Sequence, residues 1–245
     1  MTMMEETRIQ TGIEGLDHML HGGLKPGSAI LVRGAPGTGK TSMAFQFLLE
    51  GAKCKEPGLF VTFEEFPHSL YRDAESLGFD LRTLEAAGNL HIIFTSPAVL
   101  FRSLKDFESP IYQTLLNGNI HRIVIDSMSH FARLTHDTRE LRNIHATVIN
   151  SLRREHITTL LLCEENRAAY RQVDQGGLSY LSDGLILLRY VEVESTIQRA
   201  IVVLKLRGSD HAREIRHYQI QRGGLSVGEV FKHHSAILSG ISRRN

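Results

Sequence analysis

Short, strongly apolar runs alternate with longer segments of mixed polarity along most of the chain. Several of these runs are apolar at nearly every position, as is typical of strands covered on both faces of a parallel sheet. The predicted strands are Ser28–Arg33, Leu59–Phe63, Leu90–Phe94, Arg122–Ile125, Thr158–Cys163, Gly184–Val193 and Arg199–Leu206. The pattern predicts an α/β fold with a mostly parallel central sheet flanked by helices.

Two of the intervening segments carry clear helical signals. Thr41–Lys53 follows a predicted strand closely, and Asp137–Glu155 opens with Asp137 and Glu140 in the spacing of a capping box. Its apolar positions share one helical face: Leu141, Ile144, Val148 and Leu152. The last predicted strands follow one another without room for helices, which predicts antiparallel hairpins toward the C-terminus. We find no linker or repeat and expect a single domain over residues 1–245.

The composition limits the binding partners and the cell compartment that we expect for this protein. The 245 residues are 42% hydrophobic and 22% charged, and the net charge of +1 gives no strong overall field toward nucleic acid or membrane. Cys54 and Cys163 lie in no metal-type spacing, which favours reduced thiols. The first ten residues are polar, and no apolar run approaches the roughly 18 residues of a membrane span. We therefore expect a soluble, cytoplasmic protein without membrane contact.

The strongest motif follows the first predicted strand. The sequence GAPGTGKT at Gly34–Thr41 matches GxxxxGK[ST] between a strand and a helix, the context that a P-loop requires. Its glycines let backbone N–H groups face phosphate oxygens, Lys40 supplies a charge for the β- and γ-phosphates, and the Thr41 hydroxyl binds Mg2+. The sequence predicts ATP and Mg2+ as cofactors. The predicted binding residues are Gly34, Ala35, Pro36, Gly37, Thr38, Gly39, Lys40, Thr41 and Ser42.

Acidic residues end two further strands. Asp126 closes an apolar strand, where a carboxylate can hold Mg2+, although many such residues only cap the next turn. Glu64 and Glu65 end another strand, and adjacent acids can orient the attacking water and accept its proton. The alternative is that Glu65 caps a helix starting near Pro67 while Glu64 is merely exposed. The pattern alone leaves both readings open.

Four longer strings resemble a known family. They are TGIEGLDHMLHGGL (Thr11–Leu24), FVTFEE (Phe60–Glu65), RIVIDS (Arg122–Ser127) and LKLRGSDH (Leu204–His211). Together they make the chain, from about Arg8 to Phe231, resemble the KaiC family, single-domain relatives of the cyanobacterial clock ATPase within the RecA/RadA superfamily. The resemblance implies a RecA-like P-loop NTPase fold.

The resemblance also implies roles for individual residues. Glu64 and Glu65 correspond to the family's tandem catalytic glutamates, and Ser76 to a position near the nucleotide. Lys205 and Arg207 resemble the KxR finger, which reaches the γ-phosphate held by the neighbouring subunit. Further nucleotide contacts from that neighbour are implied for Leu206, Ser209 and His211. The family's arrangement is a homo-oligomer, a hexameric ring.

The geometry of a β-strand agrees with the finger role of Lys205 and Arg207. Residues two apart on a strand point the same way, so Lys205 and Arg207 share one face. Two cations aimed at phosphate would neutralise the charge that develops during transfer. Without the family, the same triplet would be read as a solvated strand edge. If the finger acts between subunits, a lone subunit has an incomplete site.

The chain departs from the clock protein in two respects. It has one P-loop where the clock protein has two such domains in tandem, so we expect one ring rather than two in a single polypeptide. The second domain of the clock protein transfers phosphate to an adjacent Ser-Thr pair; Ser179 falls at the first of these two positions, but Tyr180 replaces the threonine. Autophosphorylation at Ser179 is therefore only an open hypothesis.

The segment after the strand Thr158–Cys163 remains ambiguous. Glu164, Glu165 or Asn166 is a candidate sensor of the γ-phosphate, and the polar loop Asn166–Gly177 is a candidate contact for nucleic acid or a protein. That loop carries Arg167, Tyr170 and Arg171. We favour an ATP-driven ring that regulates an unknown protein partner. The alternatives are a RadA-like DNA-binding accessory of recombination or repair, possible but not favoured because no basic channel is evident, and a non-hydrolysing nucleotide-gated scaffold.

Overall fold

The computed structural model describes residues 7–165 and 177–232, and the backbone of two short strands at 234–235 and 243–244. The strands are β1 (Ala29–Gly34), β2 (Gly58–Thr62), β3 (Leu90–Phe94), β4 (Arg122–Asp126), β5 (Thr158–Glu164), β6 (Gly184–Val193), β7 (Thr196–Leu206), β8 (Arg216–Gln221), β9 (Gly224–Val230), β10 (His234–Ser235) and β11 (Arg243–Arg244). The helices are α1 (Leu16–Met19), α2 (Lys40–Lys53), α3 (Pro67–Ser76), α4 (Leu81–Ala86), α5 (Pro97–Ser103), α6 (Pro110–Asn117), α7 (Thr138–Arg154) and α8 (Leu178–Leu181), with a 3₁₀ helix at Met128–Arg133.

One large sheet organises the described part of the chain. It has nine strands in the order β3-β2-β4-β5-β1-β6-β7-β8-β9, and the strands from β3 to β6 are parallel. The strands from β6 to β9 pair antiparallel. The predicted mostly parallel sheet with antiparallel strands toward the C-terminus is confirmed. The sequence did not predict β8 and β9, because a strand such as RHYQIQ is half polar and lacks an apolar run.

Apolar side chains pack on both faces of this sheet. Ile30 and Val32 point into a cluster with α2, whereas Leu31 points into a second cluster with α7. Successive residues of a strand face opposite sides, so a strand covered on both faces is apolar throughout. None of the described helices has the length and apolar character needed to cross a membrane.

The string TGIEGLDHMLHGGL closes one side of the first cluster. The Asp17 carboxylate accepts hydrogen bonds from the Thr11 N–H (2.7 Å), the Thr11 hydroxyl (2.8 Å) and the Gly12 N–H (3.2 Å). Gly15 has φ 80°, and a Cβ there would lie 2.4 Å from the Val227 carbonyl oxygen. The buried apolar residues of the string are Ile13, Leu16, Met19, Leu20 and Leu24. In the described structure the string therefore folds the N-terminal segment against the sheet.

Helix α7 starts where the sequence predicts. Asp137 is its N-cap, and its carboxylate accepts from the Arg139 N–H (2.7 Å). The second half of the capping box is different, since Glu140 accepts from the Thr135 hydroxyl and the Asp137 N–H donates to the same hydroxyl oxygen (3.1 Å). Thr135 replaces the direct return contact because its hydroxyl can both donate and accept.

Candidate nucleotide site

The P-loop connects the end of β1 to the start of α2. Gly37 and Gly39 have φ values of 77° and 90°, in the left-handed region that glycine adopts without steric cost. A Cβ at Gly39 would also lie 2.3 Å from Cδ1 of Ile220. The glycines of the motif are thus required by both backbone conformation and close packing.

Lys40 lies inside this loop. Its side chain is almost wholly buried, and Nζ donates to the carbonyl oxygens of Gly34 (3.0 Å) and Ala35 (3.1 Å). Burial lowers the pKa of Lys40, while the carboxylates of Asp126 and Glu164 oppose that shift. A buried cation next to the first residues of the loop is suited to an anionic ligand, which would replace the hydration that burial removes.

Thr41 and Asp126 provide oxygen atoms that could bind a metal ion. The hydroxyl of Thr41, in the first turn of α2, donates to Oδ2 of Asp126 at the end of β4 (3.1 Å). Burial raises the pKa of Asp126 to about 6, against the lowering effect of the Thr41 hydrogen bond. Mg2+ prefers oxygen ligands such as a hydroxyl and a carboxylate. It commonly binds only one or two protein side chains together with substrate phosphates. The residues present therefore fit Mg2+.

Glu64 and Glu65 follow β2 at the same edge of the sheet. Thr62 lies beside Asp126 in the pairing of β2 with β4, because parallel strands align their carboxyl ends. The Thr62 hydroxyl contacts both the N–H (3.2 Å) and the carbonyl oxygen (3.1 Å) of Glu65, which fixes the turn after the strand. The fold thus brings both glutamates close to Asp126.

The side chains of the two glutamates lie in different environments. Oε1 of Glu64 contacts Nη2 of Arg133 (3.1 Å) and Nδ1 of His130 (3.3 Å). Desolvation raises the pKa of Glu65, as do the neighbouring carboxylates of Asp73 and Glu64.

The alternative role for Glu65, capping the next helix, does not match the fold. The N-cap of α3 is Phe66, which has no side-chain cap hydrogen bond, and Pro67 starts the helix.

The finger residues contact their own chain. Nζ of Lys205 donates to the carbonyl oxygens of Ser179 (2.7 Å) and Ser182 (2.5 Å), and Nη2 of Arg207 donates to that of Tyr180 (2.6 Å). Both cations therefore reach the same short segment, as expected for side chains on one face. The Ser179 backbone is part of this contact, and its phosphorylation stays a hypothesis.

Strand register places the finger at the other edge of the sheet from the P-loop. Leu206 pairs with Gly184, and Gly184 pairs with Ile30 near the start of β1. Gly34, where the P-loop begins, lies four strand positions farther along, roughly 13 Å at ~3.3 Å per residue. Within one chain, the described contacts do not bring the finger to the P-loop.

The other residues implied by the resemblance are distributed around these elements. Ser42 is half-buried in the first turn of α2, and Ser76 ends α3 with its hydroxyl donating to the Asp73 carbonyl (2.6 Å). Leu206 is buried in the core, so its side chain is not presented to a neighbour. The Ser209 hydroxyl donates to the carbonyl of the next residue (3.1 Å), and Nδ1 of His211 is buried without a hydrogen-bond partner in the described structure.

The candidate γ-phosphate sensors lie partly beyond what is described. Glu165 forms a salt bridge with Arg189 (2.6 Å), and its N–H donates to the Gly34 carbonyl (3.0 Å). Glu164 ends β5 and is exposed. Asn166 and the loop residues Arg167, Tyr170 and Arg171 lie outside the described residues.

Sequence reasoning missed several contacts with the site. The Tyr190 and Tyr218 hydroxyls donate to P-loop carbonyl oxygens, and Arg133 and His130 contact Glu64. All four residues are distant in sequence from the groups they contact. No motif spacing links such pairs, so only the fold could reveal them.

Comparison with known proteins gives the family. The family model for the KaiC ATPase matches residues 9–231. The chain is 33% identical over 239 residues to the circadian clock oscillator protein KaiC of Picosynechococcus sp., covering 97% of this chain and 46% of that protein. It is also 32% identical to the circadian clock oscillator protein KaiC 1 of Synechocystis sp. over 239 residues (97% and 45%) and 31% identical to the circadian clock protein KaiC3 of Synechocystis sp. over 236 residues (96% and 46%). It thus spans about half the length of these relatives. The chain belongs to the KaiC ATPase family, whose ATPase domain has a RecA-like fold.

Proposed function

We propose that this chain is a Mg2+-dependent ATPase that works as a homo-oligomeric ring, in which a neighbouring copy supplies the cationic finger. The observation that carries the proposal is the convergence of Lys40, the Thr41–Asp126 pair and Glu65 at one edge of the sheet. These groups match, in type and position, what binding and hydrolysis of a nucleoside triphosphate require.

In this proposal the P-loop binds the triphosphate. Its backbone amides and the amino end of α2 attract the phosphate oxygens, and Lys40 neutralises part of their charge. Thr41 and Asp126 would hold Mg2+, which when bound neutralises charge on the β- and γ-phosphates. Pairing of the ion with Asp126 would relieve the desolvation that raises the pKa of this carboxyl.

The paired glutamates would prepare the attacking water. The water oxygen forms a bond to the γ-phosphorus while the bond from the γ-phosphorus to the bridging oxygen of ADP breaks, and a carboxylate accepts the water proton. Glu65 has a raised pKa, which favours proton acceptance nearer neutral pH. Arg133 and His130 contact the carboxylate of Glu64 beside it.

The placement of the finger supports an assembly. Lys205 and Arg207 lie at the edge of the sheet where β1 begins, so within one protomer they are directed away from the P-loop. A head-to-tail contact between copies would bring the finger of one to the nucleotide edge of the next, and such contacts form a ring when the rotation between copies closes. We propose a hexamer, the arrangement that the family resemblance implies.

We propose a regulatory role exerted through a protein partner. The relatives described above are named circadian clock proteins, and the net charge of +1 offers no general attraction for nucleic acid. Nucleotide-dependent changes of the ring would then control binding of the partner.

The catalytic assignment is tested with the double variant Glu64→Gln/Glu65→Gln. We expect wild-type affinity for Mg2+-ATP and a loss of phosphate release of at least ~100-fold, the usual contribution of a general base. The control is Glu108→Gln/Glu229→Gln, which changes two exposed glutamates elsewhere and should hydrolyse ATP at the wild-type rate. Retained hydrolysis in the first variant would refute the assignment.

A further inference from the structure

Two tyrosines from the C-terminal strands end on the P-loop. The Tyr218 hydroxyl in β8 donates to the Thr38 carbonyl oxygen at 2.6 Å, and the Tyr190 hydroxyl in β6 donates to the Gly37 carbonyl oxygen at 2.5 Å. Tyr218 is only 3% exposed, whereas Tyr190 is half-buried. The proposed catalysis uses neither residue.

These bonds act on the peptide groups that form the cradle. In a trans peptide the C=O and the N–H point in opposite directions, so a bond that holds the Thr38 carbonyl also directs the Gly39 N–H to the other side. The peptide between Gly37 and Thr38 is held at both ends, because its carbonyl accepts from Tyr190 and its N–H donates to the Ala35 carbonyl (3.3 Å). Glycines otherwise leave such planes free to rotate.

The β8–β9 hairpin packs against the P-loop and is hydrogen-bonded to α2. Ile220 packs so closely on Gly39 that a Cβ there would clash. The Gln46 side chain in α2 accepts from the Leu225 N–H (2.7 Å) and donates to the Leu225 carbonyl (3.0 Å), both buried. The hairpin that carries Tyr218 therefore cannot move independently of α2 without breaking these contacts.

We propose that Tyr218, assisted by Tyr190, is a positioning residue for the nucleotide phosphates and holds the Gly39 peptide N–H in the orientation that binds them. The inference rests on the proposed function and extends it to residues outside the motif. A loop already held in its binding conformation loses less entropy when the ligand binds. Burial raises the pKa of Tyr218, so its hydroxyl stays protonated and remains a donor.

The test is Tyr218→Phe, which removes the hydroxyl and keeps the ring. Calorimetric titration with Mg2+-ADP should show a Kd about 3- to 10-fold weaker than wild type, the effect of one lost hydrogen bond, and the KM for ATP should rise in parallel. Tyr112→Phe is the matched control, because its hydroxyl binds Glu155 in another part of the fold. It should lower the Tm of the protein but leave the Kd for Mg2+-ADP within about twofold of wild type.

The measured Kd values decide whether Tyr218 positions the nucleotide phosphates. A folded Tyr218→Phe protein with the wild-type Kd for Mg2+-ADP, or with a shift no larger than that of Tyr112→Phe, overturns the inference. If Tyr218→Phe does not fold, Tyr190→Phe decides, since its half-exposed ring should tolerate the change. We expect its Kd to be about 2- to 3-fold weaker, and an unchanged Kd overturns the proposal. Wild-type protein without affinity for Mg2+-ADP would instead overturn the proposed function itself, and this inference with it.

Discussion

The parallel and antiparallel halves of the sheet hold their functional groups in different ways. In the parallel half, Lys40 is buried against its own loop and Thr41 contacts Asp126 directly. In the antiparallel half, Lys205 and Arg207 donate to backbone carbonyls of their own chain, and the Arg207 side chain is 53% exposed. Water or a ligand can replace the exposed contact of Arg207 at little cost in free energy. From this difference we propose that nucleotide binding belongs to one chain and that rapid hydrolysis requires the assembly.

The largest expected effect tests this division by mixing two inactive proteins. Lys205→Ala/Arg207→Ala keeps the P-loop and Lys40→Ala keeps the finger, so each alone should hydrolyse ATP very slowly. In a randomly mixed head-to-tail ring roughly a quarter of the sites combine both intact halves, and about that share of the wild-type rate should return. Phosphate release after co-incubation, with native mass spectrometry to verify mixed rings, measures the recovery.

The control for the mixing experiment uses a chain that lacks both the P-loop lysine and the finger. Lys40→Ala/Lys205→Ala/Arg207→Ala mixed with Lys205→Ala/Arg207→Ala contains no intact finger, so no activity should return. Mixed oligomers of the first pair without any recovery would count against a shared site. The finger would then need another role.

The positions of the P-loop and of the strand ends in the parallel half could be predicted from the sequence, whereas the contacts that support them could not. The P-loop motif fixes Lys40 and Thr41 by spacing, and parallel strands bring their carboxyl ends to one edge, so the ends of β2 and β4 could be expected near them. The Tyr218 contact depends on β8, whose half-polar sequence gives no clear strand signal. Arg133 meets Glu64 only through folding of the chain between them, which no local pattern describes.

The second prediction separates metal binding from stability in the parallel half. Asp126→Asn keeps an acceptor for the Thr41 hydroxyl but removes the negative charge, so nucleotide-induced thermal stabilisation should lose its dependence on Mg2+. Without nucleotide, the variant should be more stable than wild type at neutral pH by about 3 kcal/mol, since ionisation of a buried carboxyl is unfavourable. Differential scanning calorimetry without nucleotide, with ATP alone and with Mg2+-ATP measures both effects.

The raised pKa of Asp126 determines how the stability of the folded state changes with pH. The pKa of Asp126 is raised from 3.8 to about 6, so this group favours the folded state most at low pH and that advantage disappears as pH rises through 4–6. The excess stability of Asp126→Asn should therefore grow across this window and stay constant above it. Asp137→Asn, which keeps the helix cap of α7, is the control and should show neither effect. An Asp126→Asn protein that responds to Mg2+ like wild type would refute the metal role.

The smallest expected effect concerns how Glu64 is held. Arg133→Ala removes the guanidinium in contact with Glu64, so the carboxylate should sample more orientations while the P-loop and the Thr41–Asp126 pair remain intact. We expect kcat to fall by about 3- to 10-fold, in the range of one charge-assisted hydrogen bond at an exposed site, with the Kd for Mg2+-ATP unchanged. Arg139→Ala, an exposed arginine in the first turn of α7, should change neither quantity. If Arg133→Ala weakens Mg2+-ATP binding instead, Arg133 acts on the nucleotide, and the contact with Glu64 does not explain its role.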